Sequence, residues 1–148
     1  MQRLGNDAAD IELRWRAFQL DPRADDQPRD LGRAIEAKYG PGSFEVMAER
    51  LIPLGEEVGI TYDFASALRV GTFDAHRLIQ WAQASASAHT DDLVDALFAA
   101  YFSDGANVAD HETLLRIAAE GGLDADATAE VLASRSFADE VMADGAEA

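Results

Sequence analysis

The chain has 148 residues, and its 12 basic and 28 acidic side chains give a formal charge of −16. This balance excludes typical binders of nucleic acid or of anionic membranes, because both ligands recruit lysine and arginine. The length suffices for one hydrophobic core, and the 48% hydrophobic content is that of a globular protein. No cysteine is present, which excludes disulfides, thiolate–zinc sites and cysteine nucleophiles from these residues.

The first predicted element is a β-strand over Ile11–Leu20. Apolar and charged residues alternate from Ile11 to Ala17, which is the period of a strand with one buried face. Phe18 and Leu20 place apolar side chains on the opposite face, so both faces of the strand should be covered near its C-terminal end. Asp21-Pro22 then ends the strand, because proline cannot donate to a ladder. A lone strand cannot satisfy its own backbone groups, so we expect it to belong to a larger fold or to pair with another chain.

Helices are predicted for most of the remainder, after a polar loop over Arg23–Arg29. Pro53 should kink or divide the second helix, and Gly59–Val70 is a connector. Apolar residues cover a broad face of the fourth helix, which predicts that it is the central one. In chain order the predicted helices are Asp30–Tyr39, Phe44–Val58, Thr72–Ala86, Asp91–Ser103, His111–Glu120, Ala125–Ala133 and a last segment from Phe137. The predicted N-caps are Ser43, Thr72, Thr90, Asp110 and Asp124.

Motifs that would carry catalysis within these residues are absent. The three histidines, His76, His89 and His111, are too far apart in sequence for a paired metal motif, so no metal site is expected. No glycine-rich phosphate loop follows the strand, and no nucleophile elbow occurs. In so acidic a chain, pairs of carboxylates are expected to be solvated surface. We therefore assign no catalytic residue to the chain.

The segment Gly71–Leu78 is more specific. Asp74 and Arg77 fall on one side of a helix, which predicts a surface ion pair of small energetic weight. His76 lies at the edge of the apolar stripe. From periodicity alone, this segment is a capped amphipathic helix with a half-buried histidine that makes one hydrogen bond.

The order of several short motifs indicates a family. The chain resembles the FrnE-like branch of the DsbA family, which comprises thioredoxin-fold dithiol–disulfide oxidoreductases and isomerases related to 2-hydroxychromene-2-carboxylate isomerases and kappa-class glutathione transferases. The resemblance covers nearly the whole chain. It is carried by RWRAFQLDP at 14–22, KYG at 38–40, TFDAHRLIQWA at 72–82, LFAAYFSDG at 97–105 and LLRIAAEGGLD at 114–124.

The resemblance implies a mostly α fold for this chain, with one strand and six or seven helices. These would form the α-helical insertion of a thioredoxin-like α/β fold. Residues 1–22 would be the second-strand remnant of the thioredoxin-like domain, 23–136 the inserted domain, and 137–148 the start of the returning helix. The family's CxxC motif and cis-proline loop would both lie outside these residues. Family members commonly have Asn where this chain has Gly71, so any polar contact of that Asn is missing here.

In the whole protein, the resemblance implies thiol–disulfide exchange with a protein or small-molecule substrate. Two alternatives stay open: a glutathione-linked isomerase of the 2-hydroxychromene-2-carboxylate type, and a non-enzymatic helical interaction domain. No cofactor motif is evident, and glutathione is the one cofactor that the resemblance suggests. We expect no nucleic-acid or membrane partner, a homodimer as the candidate assembly, and a cytoplasmic location. The candidate substrate-binding residues are Phe18, Leu20, Pro22, Thr72, Phe73 and His76.

Overall fold

The computed structural model describes residues 13–85 and 88–148. Within these ranges it contains seven helices and two short strands, which confirms the predicted mostly helical architecture. Ile11 and Ala86, where the predicted strand begins and the predicted third helix ends, lie outside the described residues. The elements are β1 (Arg29–Asp30), α1 (Leu31–Tyr39), α2 (Ser43–Glu56), β2 (Leu68–Arg69), α3 (Phe73–Ala84), α4 (Thr90–Phe102), α5 (His111–Glu120), α6 (Ala125–Ala133) and α7 (Ala138–Glu147).

The core lies between α3, α4, α5 and α6. Leu78 of α3, Leu93 of α4 and Leu114 of α5 are among its fully buried side chains. Helix α3 packs against α4, α6 and α7, whereas α4 packs against α3 and α5. The prediction that α4 is the central helix is therefore wrong: α3 takes that place, with Ala75, Leu78 and Ala82 buried among its neighbours.

Helices α1 and α2 form a hairpin beside this core and bury little of their own surface. A small antiparallel sheet joins the hairpin to the rest of the chain, with Arg29 opposite Arg69 and Asp30 opposite Leu68. β2 falls in the predicted connector, whereas β1 joins the last residue of the predicted loop, Arg29, to the first residue of the predicted helix, Asp30. Each is two residues long, which is too short for a two-residue period to appear in the sequence.

The described part of the predicted strand, residues 13–20, forms no strand: residues 13–19 have no regular secondary structure, and Leu20 lies in a bend. Burial still alternates along residues 14–20 as in an extended chain, so we call this part the extended segment. Side chains of α3 and α7 satisfy its backbone instead. The Trp15 backbone N–H donates to Gln83 Oε1 at 2.7 Å, and its carbonyl accepts from Gln83 Nε2 at 2.9 Å. The Ala17 N–H donates to Asp144 Oδ2 at 2.8 Å. The ladder is missing because no other extended segment runs alongside within the described residues.

The predicted caps are confirmed where they are aspartates. Asp110 accepts from the Thr113 N–H at 2.8 Å, and Asp124 accepts from the Ala127 N–H at 2.9 Å. Ser43 and Thr90 are instead the first residues of their helices, and Thr72 holds the N-cap position without a side-chain cap bond. A carboxylate accepts two or more hydrogen bonds readily, which suits the two aspartates to their side-chain cap bonds.

Helix α2 is continuous through Pro53, so of the two predicted effects, a kink or a division, the division does not occur. The kink stays a prediction. The helix ends at Glu56 rather than at Val58. The cause is a close approach at Gly55, where an added Cβ would lie 2.6 Å from the Tyr62 ring and 2.8 Å from the Ile60 carbonyl. The chain turns back at this point, and the Ile60 N–H donates to the Gly55 carbonyl at 2.9 Å.

Candidate functional site

The candidate site lies where the extended segment ends, against the first half of α3. The half-buried His76 side chain lies close enough to the Phe18 backbone and to Asp144 for both to influence its pKa. Burial lowers the pKa of His76 from 6.5, while the Phe18 backbone and the nearby Asp144 carboxylate oppose this shift only in part. His76 is therefore neutral at neutral pH, and its ring offers one donor and one acceptor.

Two contacts bring the turn after the extended segment close to the start of α3. Asp21 makes an ion pair with Arg69, whose Nε lies 3.0 Å from Asp21 Oδ2. The hydrogen bond to Arg69 lowers the pKa of Asp21, so the pair stays charged well into the acidic range. The Gly71 N–H donates to the Asp25 carbonyl at 2.9 Å. These contacts hold residues 18–25 against β2 and the N-cap of α3.

Glycine at position 71 allows this close approach. An added Cβ would lie 3.1 Å from the Ala24 carbonyl oxygen and 3.1 Å from Asp26 Oδ1. Both distances are tighter than most contacts of a real Cβ. A residue with a Cβ at position 71 would require these neighbouring atoms to shift by a few tenths of an ångström. Gly71 is thus part of how this chain positions the candidate site.

The six predicted substrate-binding residues fall into three pairs in the structure. Phe18 and His76 are brought together, as described above. Leu20 is 93% exposed and Pro22 is exposed, so both are accessible at the turn. Thr72 and Phe73 are partly buried at the start of α3, where the Thr72 carbonyl accepts from the His76 N–H at 3.1 Å. Their role in binding substrate stays a prediction.

Three polar residues that the sequence analysis did not single out also build the site. Gln80 donates to Asp144 Oδ2 at 2.7 Å, which orients that carboxylate toward the Ala17 N–H. Gln83 holds the Trp15 backbone. With His76, the two glutamines occupy positions i, i+4 and i+7 on one face of α3. This polar stripe was present in the sequence, but a stripe of that kind is ordinarily solvent-exposed.

The predicted surface pair of Asp74 and Arg77 is wrong in one respect, because Arg77 is only 4% exposed. Its Nη1 donates to Asp74 Oδ1 at 2.7 Å. Its remaining donors reach three backbone carbonyls at the end of α6 and just beyond it: Val131 at 2.5 Å, Ser134 at 2.8 Å and Ser136 at 2.8 Å. Arg77 therefore fastens α3 to the C-terminus of α6, where a cation is favourable.

Asp74 extends this network to α5. Its Oδ2 lies 2.7 Å from His111 Nε2. Burial alone would raise the pKa of Asp74, but the hydrogen bonds from Arg77 and His111 outweigh it, and the net pKa is lowered. The network has the character of a structural clamp between three helices.

The described residues at the site provide hydrogen-bonding and apolar groups. Within residues 13–85 and 88–148, no three histidine, aspartate or glutamate side chains cluster so as to hold a metal ion. No helix in the same ranges is long and apolar enough to cross a bilayer. The chemistry available at the site is hydrogen bonding by a neutral imidazole and contact with exposed apolar side chains.

Comparison with known proteins identifies the class. The family model for the DSBA-like thioredoxin domain matches residues 1–148. The crystal structure of a probable DsbA oxidoreductase from Streptomyces coelicolor superposes with a TM-score of 0.87 at 30% sequence identity. That match covers 96% of this chain and 62% of the Streptomyces chain. No curated protein matches this chain.

The chain therefore belongs to the DSBA-like thioredoxin domain family. It spans 62% of the length of the Streptomyces structure that it resembles. The family resemblance deduced from the sequence motifs is confirmed at the level of the DsbA family.

Proposed function

We propose that these residues form the helical, substrate-facing part of a thiol–disulfide oxidoreductase of the DsbA type, in its FrnE-like branch. The observation that carries the proposal is the family match over the whole chain together with 30% identity to a probable DsbA oxidoreductase. The 148 residues contain no cysteine, so the redox-active thiols would come from polypeptide outside them.

The geometry supports a specific location for the site. Carboxyl ends of parallel strands lie at one edge of a sheet, and ligands bind there. If residues 13–18 are the second strand of a βαβ unit, the turn over residues 18–22 lies beside the thiols at the end of the first strand. Residues 23–136 would then be the helical insertion that covers the site, and 137–148 the start of the returning helix.

The chemistry of the proposed reaction uses sulfur atoms from outside this chain. A substrate thiolate attacks one sulfur of the enzyme disulfide, which forms a mixed disulfide and releases the second enzyme thiolate. A second substrate thiolate then attacks the mixed disulfide, so the substrate is oxidised and the enzyme dithiol is formed. The turn at Phe18 and Leu20 would contact apolar substrate groups, and His76 would hydrogen-bond polar ones.

The test begins with the codons in frame upstream of Met1. A strand and a CxxC motif should occur within about 40 codons, the span of a βαβ unit. The polypeptide that includes them, called the extended polypeptide below, should exchange disulfides with a small reporter disulfide and reduce insulin. The 148 residues alone and a double Cys→Ser variant serve as controls and should be inactive. Exchange by the 148 residues alone, or an inactive extended polypeptide, would overturn the proposal.

The same codons separate the two enzymatic alternatives. A serine in place of the first cysteine would indicate the glutathione-linked isomerase, and glutathione should then bind the extended polypeptide. Upstream codons without a strand or a CxxC motif would favour the non-enzymatic helical domain. Glutathione binding is measured by calorimetry, with oxidised glutathione as the comparison ligand.

A further inference from the structure

A groove lies on the face of α4 away from the core. Phe98 is 53% exposed although the sequence pattern assigned it to the buried face of the helix. Phe98 and Phe102, one helical turn apart, form one wall, and the segment Gly59–Tyr62 forms the other. The volume enclosed is about 580 Å³, within the range of ligand-binding clefts. We call this the α4 groove.

The walls of the α4 groove are tied to each other. The Asp63 N–H donates to the Phe102 carbonyl at 2.8 Å, and Ser103 Oγ donates to the Thr61 carbonyl at 2.6 Å. The Tyr62 ring meets the Phe102 ring edge-to-face, with centroids 5.9 Å apart. A preformed apolar cleft loses little conformational entropy when it binds a ligand.

The electrostatic surroundings of the groove are acidic. Asp95, one turn before Phe98, is the one charged residue among those lining it. No lysine or arginine occurs in residues 51–68 or 78–115, the two stretches that contain both walls. Glu56, Glu57 and Asp63 flank the loop wall in sequence. The resulting negative potential favours a cationic group next to an apolar one.

We propose that the α4 groove binds a polypeptide segment that carries apolar side chains beside a lysine or arginine. From Asp95 to Phe102 the helix rises about 10 Å, which matches about three residues of an extended peptide. The apolar side chains would sit against Phe98 and Phe102, and the cation would lie near Asp95. A second copy of this chain is the poorer occupant, because it would bring an equally acidic surface and a charge of −16.

The experiment measures fluorescence anisotropy of a short fluorescein-labelled peptide with two leucines flanked by lysines. One comparison peptide has glutamate in place of lysine, and another has serine in place of leucine. We expect the lysine–leucine peptide to bind at least tenfold more tightly than either. Equal binding of all three, or no binding at all, would overturn the proposal. Concentration-dependent dimerisation that requires Phe98 would also overturn it, in favour of a second copy.

Variants of the 148-residue chain locate the binding. Phe98→Ser should weaken peptide binding about tenfold, whereas Met142→Ser on α7, where Met142 is 50% exposed, should leave it unchanged. Asp95→Lys should reverse the preference, so that the glutamate peptide binds better than the lysine peptide. Glu130→Lys on α6 changes the net charge equally and should keep the original preference. A preference that follows net charge rather than position 95 would contradict the proposed site.

Peptide binding needs no thiol, so this inference stands apart from the proposed redox function. The anisotropy experiment uses peptides without cysteine and the chain as it is. Failure of peptide binding would leave the thiol-exchange test unaffected, and failure of thiol exchange would leave this one unaffected.

Discussion

Replacing Arg77 with methionine removes every polar contact of the guanidinium while keeping a long apolar side chain in place. Arg77 is 4% exposed and donates four hydrogen bonds, one to Asp74 and three to carbonyls at and beyond the end of α6. Only the Val131 carbonyl is left buried without its donor, since Asp74 is 26% exposed and Ser134 and Ser136 are exposed. The expected cost is therefore about 1.5–3 kcal/mol, the range for hydrogen bonds to a charged group. Against a total stability of about 5–15 kcal/mol, this loss is large.

The assay is urea unfolding, followed by circular dichroism and by tryptophan fluorescence. We expect the Arg77→Met midpoint to fall with an unchanged slope, since the surface exposed on unfolding is the same. Arg116→Met is the matched control. Arg116 is 54% exposed and pairs with Glu120 one turn away at 2.8 Å, so its loss should cost no more than about 0.5 kcal/mol.

A loss in the free energy of unfolding under about 1 kcal/mol for Arg77→Met, or a loss no larger than that of Arg116→Met, would contradict the role of Arg77. If the methionine variant does not fold, the urea midpoint of Arg77→Lys is measured instead. Lysine keeps the charge but lacks the planar fork, so it cannot reach all four acceptors, and its cost should be intermediate.

Three further predictions concern the candidate site. The free energy of unfolding should fall between roughly pH 7.5 and 5.5, because the lowered pKa of His76 makes the unfolded state bind the proton before the folded state does. His76→Gln should reduce this fall. Urea midpoints at both pH values measure it, and an equal fall in wild type and variant would contradict the prediction. Gly71→Ala should destabilise the fold by about 1 kcal/mol through overpacking. Gly145→Ala, where an added Cβ meets nothing within 4 Å, should stabilise it by up to about 1 kcal/mol. Thermal melts compare the two variants, and equal shifts in Tm would contradict the close approach at Gly71. Gln83→Leu should speed hydrogen exchange at the Trp15 amide severalfold while the amides of α5 keep wild-type rates; an unchanged Trp15 rate would show that Gln83 does not hold it.

Helices were predictable wherever amphipathic periodicity and aspartate caps coincided. Asp110 and Asp124 marked the starts of α5 and α6, and both cap as expected. The family was predictable from motif order, and the fold class with it. These features are encoded locally, within one or two turns of helix.

Three of the errors arise from contacts with residues distant in sequence. The predicted strand forms only the extended segment, because a ladder needs a partner that the described residues lack. Arg77 is buried because the end of α6, more than 50 residues away, offers it carbonyl acceptors. Phe98 is exposed because Gly59–Tyr62 contacts α4 at Phe102 and Ser103 and leaves an open groove beside Phe98. No periodicity in the sequence distinguishes an apolar groove from a core.

The location of the candidate site in a thiol–disulfide oxidoreductase can be measured with a single introduced thiol. Leu20→Cys in the extended polypeptide places a thiol at the exposed turn, and the 148 residues contribute no other. A short bismaleimide should cross-link position 20 to the CxxC motif and block disulfide exchange. Met142→Cys, exposed on α7, should not cross-link. Cross-linking at Met142→Cys but not at Leu20→Cys, or equal cross-linking at both, would contradict the assignment of this turn to the redox site.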